Sequence, residues 1–211
     1  MTTITVLTKA PIAGSTKTRL APAIGLDGAA RLHEAFVDAT LDKLRHTGFH
    51  LQVAVGHDPG GHFARTLRDR GVHTLPQAEG DLGARMRAVL MGPGRRIVIG
   101  TDCLVFDPAW LTVPPSAPVA IAPSEDGGYW ALSIDGTASS EVLDDLFVDV
   151  PWSTPKVLPL TLARCAQRGT PVELLPTCYD VDTPAELSRL LHDPRCPPRV
   201  RARLESLSCP S

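Results

Sequence analysis

Short, continuously apolar runs alternate along the chain with longer stretches in which apolar residues return every three or four positions. The β-branched run 4–8 stops at Lys9-Ala-Pro-Ile-Ala-Gly14, where proline and glycine end a strand. Over 27–46, Leu32, Phe36, Ala39 and Leu44 recur near helical spacing, with Asp27 available as a cap and Gly48 closing the far end, so a long amphipathic helix is predicted. The same reading gives strands at 51–55, 72–75 and 97–99, and helices at 63–70, ending at Gly71, and at 84–91. Strands that are apolar throughout and alternate with helices predict a parallel sheet covered on both faces. After Asp102 the pattern changes. Runs at 119–122 and 129–134 are separated only by the turn-rich Ser124-Glu-Asp-Gly-Gly128, so the sheet becomes mixed there. Helices follow at 141–147, 156–168, 184–192 and 198–207, with one more strand at 172–175.

A length of 211 residues with 43% hydrophobic content fits one domain, with a core over 4–192 and a helical C-terminal extension over 193–211. Twenty proline residues and only 5% aromatics imply a loop-rich chain with an aliphatic core. The net charge of -2 supplies no field for a phosphate backbone or an anionic lipid surface, which argues against nucleic-acid partners. No stretch approaches the ~18 apolar residues of a membrane span, and 1–15 lacks the basic start and apolar centre of a signal peptide. The expectation is a cytoplasmic protein without a membrane partner. The five cysteines, at 103, 165, 178, 196 and 209, form no C-x-x-C pair and read as reduced thiols.

Several segments carry candidate chemistry. In Lys9-Ala-Pro-Ile-Ala-Gly-Ser-Thr-Lys17-Thr-Arg19, directly after the first strand, glycine admits close backbone approach and two cations two residues apart can bracket a polyphosphate. A solvated basic loop is the alternative. Asp102, in Gly100-Thr-Asp-Cys103 at the carboxyl end of an apolar strand, is placed to hold Mg²⁺ on a phosphate, or simply to cap the next turn. In Tyr179-Asp180-Val-Asp182-Thr-Pro, Asp182 could be a helix cap. The glycines around Gln77-Ala-Glu-Gly80-Asp81-Leu-Gly83 can admit a flat base against backbone, or form a plain loop-to-helix junction. Asp126-Gly127-Gly128 is an acceptor-side turn or an ordinary hairpin turn, and Trp152-Ser153-Thr154 an acceptor contact or a capped helix start.

Other chemistries find less support. P-loop and G-x-G-x-x-G patterns are absent, the histidines include no H-E-x-x-H, and no G-x-S-x-G elbow is present. Cys103 reads as a small buried residue rather than a nucleophile.

Taken in order, Lys9-Ala-Pro-x-x-Gly-x-x-Lys17-Thr-Arg19-Leu20, Gly80-Asp-Leu-Gly-x-Arg-Met86, Gly100-Thr-Asp-Cys103, Asp126-Gly-Gly-Tyr129, Val150-Pro-Trp-Ser-Thr154 and Asp180-Val-Asp-Thr183 resemble the bacterial glycosyltransferase A-like family, also called radical-SAM/selenodomain-associated transferase 1. The likeness spans 5–191. Leu104 stands where that family usually has proline. The resemblance implies an α/β fold: a three-layer αβα sandwich with a mixed, Rossmann-like sheet of the GT-A, nucleotide-diphospho-sugar transferase type. Molybdenum-cofactor and 2-phospholactate guanylyltransferases are its distant relatives. By this similarity Lys17 and Arg19 touch phosphates, with Lys9, Ala10 and Gly14 beside them. Gln77, Gly80, Asp81 and Gly83 hold the base, and Asp102 and Asp182 hold Mg²⁺ or Mn²⁺. Asp126, Gly127, Gly128, Trp152, Ser153 and Thr154 face an acceptor. The implied partners are a nucleotide donor and a small-molecule acceptor. Nucleotidyl transfer from a nucleoside triphosphate leads, with Lys17, Arg19 and Asp102 as the catalytic set, because a departing pyrophosphate carries more charge to neutralise. The alternatives are glycosyl transfer from a nucleotide sugar, with Asp126 or a neighbour as base, and nucleotide binding without turnover.

Overall fold

The structure, a computed structural model, describes residues 1–136 and 140–208. Seven strands form one sheet: β1 (Thr3–Lys9), β2 (His50–Gly56), β3 (His73–Pro76), β4 (Arg96–Ile99), β5 (Val119–Pro123), β6 (Tyr129–Ile134) and β7 (Val172–Leu174), in the spatial order β3-β2-β1-β4-β6-β5-β7. The first four strands are mutually parallel, β6 runs antiparallel to both β4 and β5, and β7 returns parallel to β5. The predicted switch to a mixed sheet after Asp102 is therefore observed. It arises because only the short turn 124–128 joins β5 to β6, too short for a parallel crossover.

Alternation along the strands sorts side chains onto two faces. Val53, Val55, Ile97 and Ile99 enter one core with α1 (Ala21–Leu44), α2 (His62–Asp69), α7 (Pro184–His192) and α8 (Pro198–Ser208). Their neighbours Ala54 and Val98 enter a second core with α3 (Leu82–Leu90), α5 (Ser140–Phe147) and α6 (Val157–Gln167). Helices thus cover both faces of the sheet, giving the expected three-layer αβα sandwich. A further short helix, α4 (Ala109–Thr112), was not evident in the sequence.

One helix boundary needs correction. The first helix begins at Ala21, not Asp27, because Pro22 suits the first turn and Leu20 is buried in the core. Gly25, with φ 73° and ψ 166°, then breaks the helical path, which is why the periodicity became legible only beyond it. Among the described residues, no helix is long and apolar enough to cross a membrane. Cys103, Cys165, Cys178 and Cys196 are free, buried thiols, whereas Cys209 lies outside the described residues.

Candidate active site

Parallel pairing of β1 with β4 aligns Val6 with Ile99, so the segments that leave both strands at their carboxyl ends emerge side by side. This is where open α/β sheets bind ligands. Lys17 sits in the first of these segments in the left-handed region (φ 48°, ψ 38°), ahead of a 3₁₀ turn over Thr18–Leu20. The conformation turns its side chain inward. The side chain is 5% exposed, and Nζ lies 2.5 Å from Asp102 Oδ1 and 2.8 Å from Asp182 Oδ1. It also donates to the Val181 carbonyl at 2.7 Å and stands 5.2 Å from the centre of the Phe36 ring. Burial disfavours the ammonium, but the two carboxylates outweigh it and hold the Lys17 pKa above the ordinary value. Partial burial likewise raises the Asp102 carboxyl, and Lys17 more than reverses this.

Both cap alternatives give way to this arrangement. Thr183, not Asp182, is the N-cap of α7: its hydroxyl accepts from Glu186 N, and the Glu186 carboxylate accepts from the backbone N–H of both Asp182 and Thr183. That capping box fixes the Asp182 backbone and leaves its carboxylate for Lys17. The Asp102 carbonyl accepts from Val181 N at 2.9 Å, joining the two carboxylate-bearing segments directly. Leu104 is fully buried and keeps the turn after Asp102 in the core. Asp180 also lines the cavity, its carboxylate accepting a hydrogen bond from Ser124 Oγ. Burial, followed by the negative charges of Asp102, Asp126 and Asp182, pushes its carboxyl up to about 7 against that hydrogen bond.

These groups line a cavity of about 580 Å³. Lys9, Lys17, Arg19 and Gln77 lie in its wall with Asp102 and Asp182, and so do Asp126, Gly128, Trp152, Ser153 and Thr154. Gln77 is largely committed to the scaffold: its amide nitrogen donates to the Thr8 and Ala54 carbonyls at 2.9 and 3.0 Å, and Oε1 accepts from Arg85. The remaining expected residues shape the wall without lining it. Ala10 N donates to Gly56 O, and Gly14 (φ +80°) and Gly80 (φ +102°) turn the loops. Asp81 caps α3, accepting from Ala84 N at 2.8 Å, and also accepts from Trp152 Nε1 at 3.0 Å. Gly83 lets that indole close in: a Cβ there would meet the Trp152 ring at 2.8 Å. Thr154 is not a helix cap, because its hydroxyl donates to Pro151 O.

Gly127 holds the acceptor-side turn against the start of α6. At φ +88° it suits only glycine, and a Cβ would lie 2.5 Å from Pro155 Cα. Gly127→Ala is expected to lower unfolding stability by about 2–4 kcal/mol, the sum of left-handed strain and backbone overlap. Urea unfolding measures this, and a loss below about 0.5 kcal/mol would refute the packing account.

Two cavity residues were not among the candidates read from the sequence. His33 is 5% exposed, with Nε2 lying 3.1 Å from both Thr8 Oγ1 and the Lys9 carbonyl. Burial lowers its pKa, opposed by the Asp102 carboxylate. Only the packing of α1 on β1 brings it there. Arg85 adds a cation from the first turn of α3. Its place after the Asp81 cap was the available hint.

A bacterial family described as "Uncharacterized protein conserved in bacteria (DUF2064)" matches residues 37–154, more than half of the chain. The chain belongs to the DUF2064 family. No curated protein is significantly similar in sequence. Among solved structures, this DUF2064 chain is similar to a protein from Desulfovibrio desulfuricans G20 provisionally named a nucleotide-diphospho-sugar transferase, at 23% identity and TM-score 0.76 over 98% of this chain and 96% of that one. It also resembles the inositol-1-phosphate CTP transferase from T. maritima, at 13% identity, TM-score 0.57 and 98% of both chains. A third is the 4-diphosphocytidyl-2C-methyl-D-erythritol synthase from Anaerococcus prevotii DSM 20548, at 10% identity and TM-score 0.57, over 89% of this chain and 96% of that one. At these identities the likeness shows the fold, which is the GT-A-like, nucleotide-diphospho-sugar transferase fold that the motifs implied.

Proposed function

We propose that this protein is a divalent-cation-dependent nucleotidyltransferase that moves a nucleotidyl group from a nucleoside triphosphate to a small anionic acceptor and releases pyrophosphate. The observation that carries this reading is the cation set at the cavity: Asp102 Oδ1, Asp182 Oδ1 and the Val181 carbonyl converge within 2.8 Å on one ammonium, with Lys9, Arg19 and Arg85 in the same wall. An all-oxygen donor set with two carboxylates suits a hard divalent cation, so Asp102 and Asp182 are the residues that would hold Mg²⁺ or Mn²⁺. Such an ion, when bound, neutralises phosphate oxygens and supports the charge of the leaving group.

The chain's own groups supply the rest. Lys17 and Arg19 stabilise charge on the departing β- and γ-phosphates, as an acceptor oxygen bonds to the α-phosphorus and the bond to the bridging oxygen breaks. Lys9 and Arg85 draw the anionic donor into the cavity. Oε1 of Gln77, turned toward Arg85, presents the edge against which the base lies, on a wall shaped from behind by the glycines of 80–83. Asp126, Gly127 and Gly128, with Trp152, Ser153 and Thr154, form the acceptor side. Similarity in fold to proteins named as CTP and nucleotide-sugar transferases supports a nucleotide donor.

Product analysis tests the reaction. Incubation with each of four nucleoside triphosphates, Mg²⁺ and a panel of sugar phosphates and phosphorylated acids is expected to release pyrophosphate with one triphosphate and to yield a nucleotidylated acceptor. Release of a nucleoside diphosphate from a nucleotide sugar, without pyrophosphate, would overturn this reading in favour of glycosyl transfer. Absence of any product across both panels, with retained binding, would leave a nucleotide-binding role.

A further inference from the structure

The cavity combines charged groups with a run of apolar ones. Cations reach it from the end of β1 and the segment after it, whereas α3, β6 and the segment before α6 bring mostly carbon. Leu82 opens α3, lines the cavity and is 44% exposed. Arg85 and Met86, three and four residues on, share its helix face, so α3 shows the cavity a cation beside apolar carbon. Two aromatic rings add to this part of the wall, and each keeps its polar tip from a ligand. The Tyr129 hydroxyl oxygen is fully buried, so the ring is what the cavity meets. The Trp152 indole N–H is committed to Asp81 Oδ2 at 3.0 Å. Both rings pack on the second core, whose Val98 and Leu132, paired across β4 and β6, also line the cavity. Polar groups on the acceptor side are engaged within the protein: the Thr154 hydroxyl donates to Pro151 O at 2.7 Å, and Asp126 Oδ1 accepts from Gly128 N at 2.9 Å.

We propose that the acceptor is an amphipathic anion: an anionic head that faces the cations, and a body of apolar carbon that lies against Leu82 and the Tyr129 and Trp152 rings. This deepens the reading of the cavity as a nucleotidyltransferase site and rests on it. The physical reason is the cost of stripping water from polar groups. A hydroxylated ring in this part of the cavity would give up its water for few replacement hydrogen bonds, whereas an apolar ring gains from leaving water. The rings are also preorganised: Asp81 holds the indole edge, and Gly83 leaves the space it fills. A nucleobase has flat faces too, but its edge carries donors and acceptors that need partners. Gln77 and Arg85 offer such groups, and the two aromatic rings do not. Arg85, on the same helix face as Leu82, supplies a cation next to the apolar groups, so head and body of one small ligand can both be satisfied.

The test is isothermal titration of the full chain with phenyl phosphate, cyclohexyl phosphate and glucose 1-phosphate, which set three one-ring bodies on the same head. Phenyl and cyclohexyl phosphate are expected to bind at least about tenfold more tightly than glucose 1-phosphate. Leu82→Gln, at an exposed helix position that tolerates the change, should cut that preference to less than about threefold, and Trp152→Ser should cut it as well. Glucose 1-phosphate binding as tightly as the other two, no binding of any of the three, or a preference kept in both variants would overturn the inference. So would displacement of phenyl phosphate by free nucleosides, which would assign the apolar groups to the base. The reaction fails separately. Pyrophosphate release with a sugar phosphate, and no apolar preference, would overturn the inference and keep nucleotidyl transfer. The preference without any nucleotidylated product would keep the amphipathic anion as the ligand and overturn the reaction.

Discussion

Lys17→Ala is expected to lower kcat/KM for pyrophosphate release by roughly 10²–10³-fold, the usual cost of removing one preorganised charge stabiliser. The apparent affinity for the base should change only a few-fold, because the hydrogen bonds of Gln77 run to Thr8 and Ala54 rather than to Lys17 and are kept in the variant. Stability should fall far less than activity. Stranding a fully buried carboxylate costs about 3–5 kcal/mol, but the Asp102 and Asp182 side chains stay 45% and 43% exposed, so water takes over much of the role of the ammonium. A loss of about 1 kcal/mol is the consistent figure. The same exchange has a binding signature: Lys17 neutralises the oxygens a divalent ion needs, so Mn²⁺ should bind the nucleotide-free variant several-fold more tightly than the parent. Steady-state kinetics, urea unfolding and a Mn²⁺ titration followed by electron paramagnetic resonance separate these effects. Equal turnover in variant and parent would remove Lys17 from the mechanism.

Asp102→Asn carries the second large effect. The change keeps the side chain's shape but exchanges an acceptor-only carboxylate for an amide. One anionic partner of Lys17 is lost, and either Oδ1 or an N–H must now face the ammonium. Turnover is expected to fall at least about 10²-fold, with little change in fold, because the Asp102 backbone keeps its bond to Val181 N. The pH dependence of stability follows by sign. Asp102 is held below its ordinary pKa by Lys17, so the parent has stability above the ordinary carboxylate pKa that it loses as pH falls through the lowered value. In Asp102→Asn that part of the acid-induced loss should be absent, which urea midpoints between neutral and acidic pH measure. A parent-like acid profile in the variant would contradict the pairing.

Much of this architecture was legible because it rests on local signals. β6 and α7 fall within the predicted bounds since Gly128 precedes one and the Thr183-Pro184 start marks the other. The start of α1 was not legible: it depends on Pro22 and on burial of Leu20, while Gly25 interrupts the periodicity that marks the rest. At the site, the glycines and carboxylates were readable as types but not as partners. Nothing in the spacing of Lys17, Asp102 and Asp182 says that one ammonium bridges two carboxylates 80 residues apart. Asp81 shows the converse, since its position in a glycine-rich motif suggested the base, whereas its oxygens serve the α3 cap and the Trp152 indole. The place of His33 depends wholly on how α1 packs on β1, so no sequence period marks it.

The most direct test of the central claim is the thermal unfolding of parent and Asp102→Asn with each of four nucleoside triphosphates and a set of nucleotide sugars, with and without Mg²⁺. A ligand that binds only the folded state raises its apparent stability by mass action, by about 2.7 kcal/mol at a hundredfold excess over Kd. The account predicts a rise with one triphosphate that requires Mg²⁺ in the parent and is lost in Asp102→Asn. A rise confined to a nucleotide sugar, or one equal in both proteins and indifferent to Mg²⁺, would contradict it.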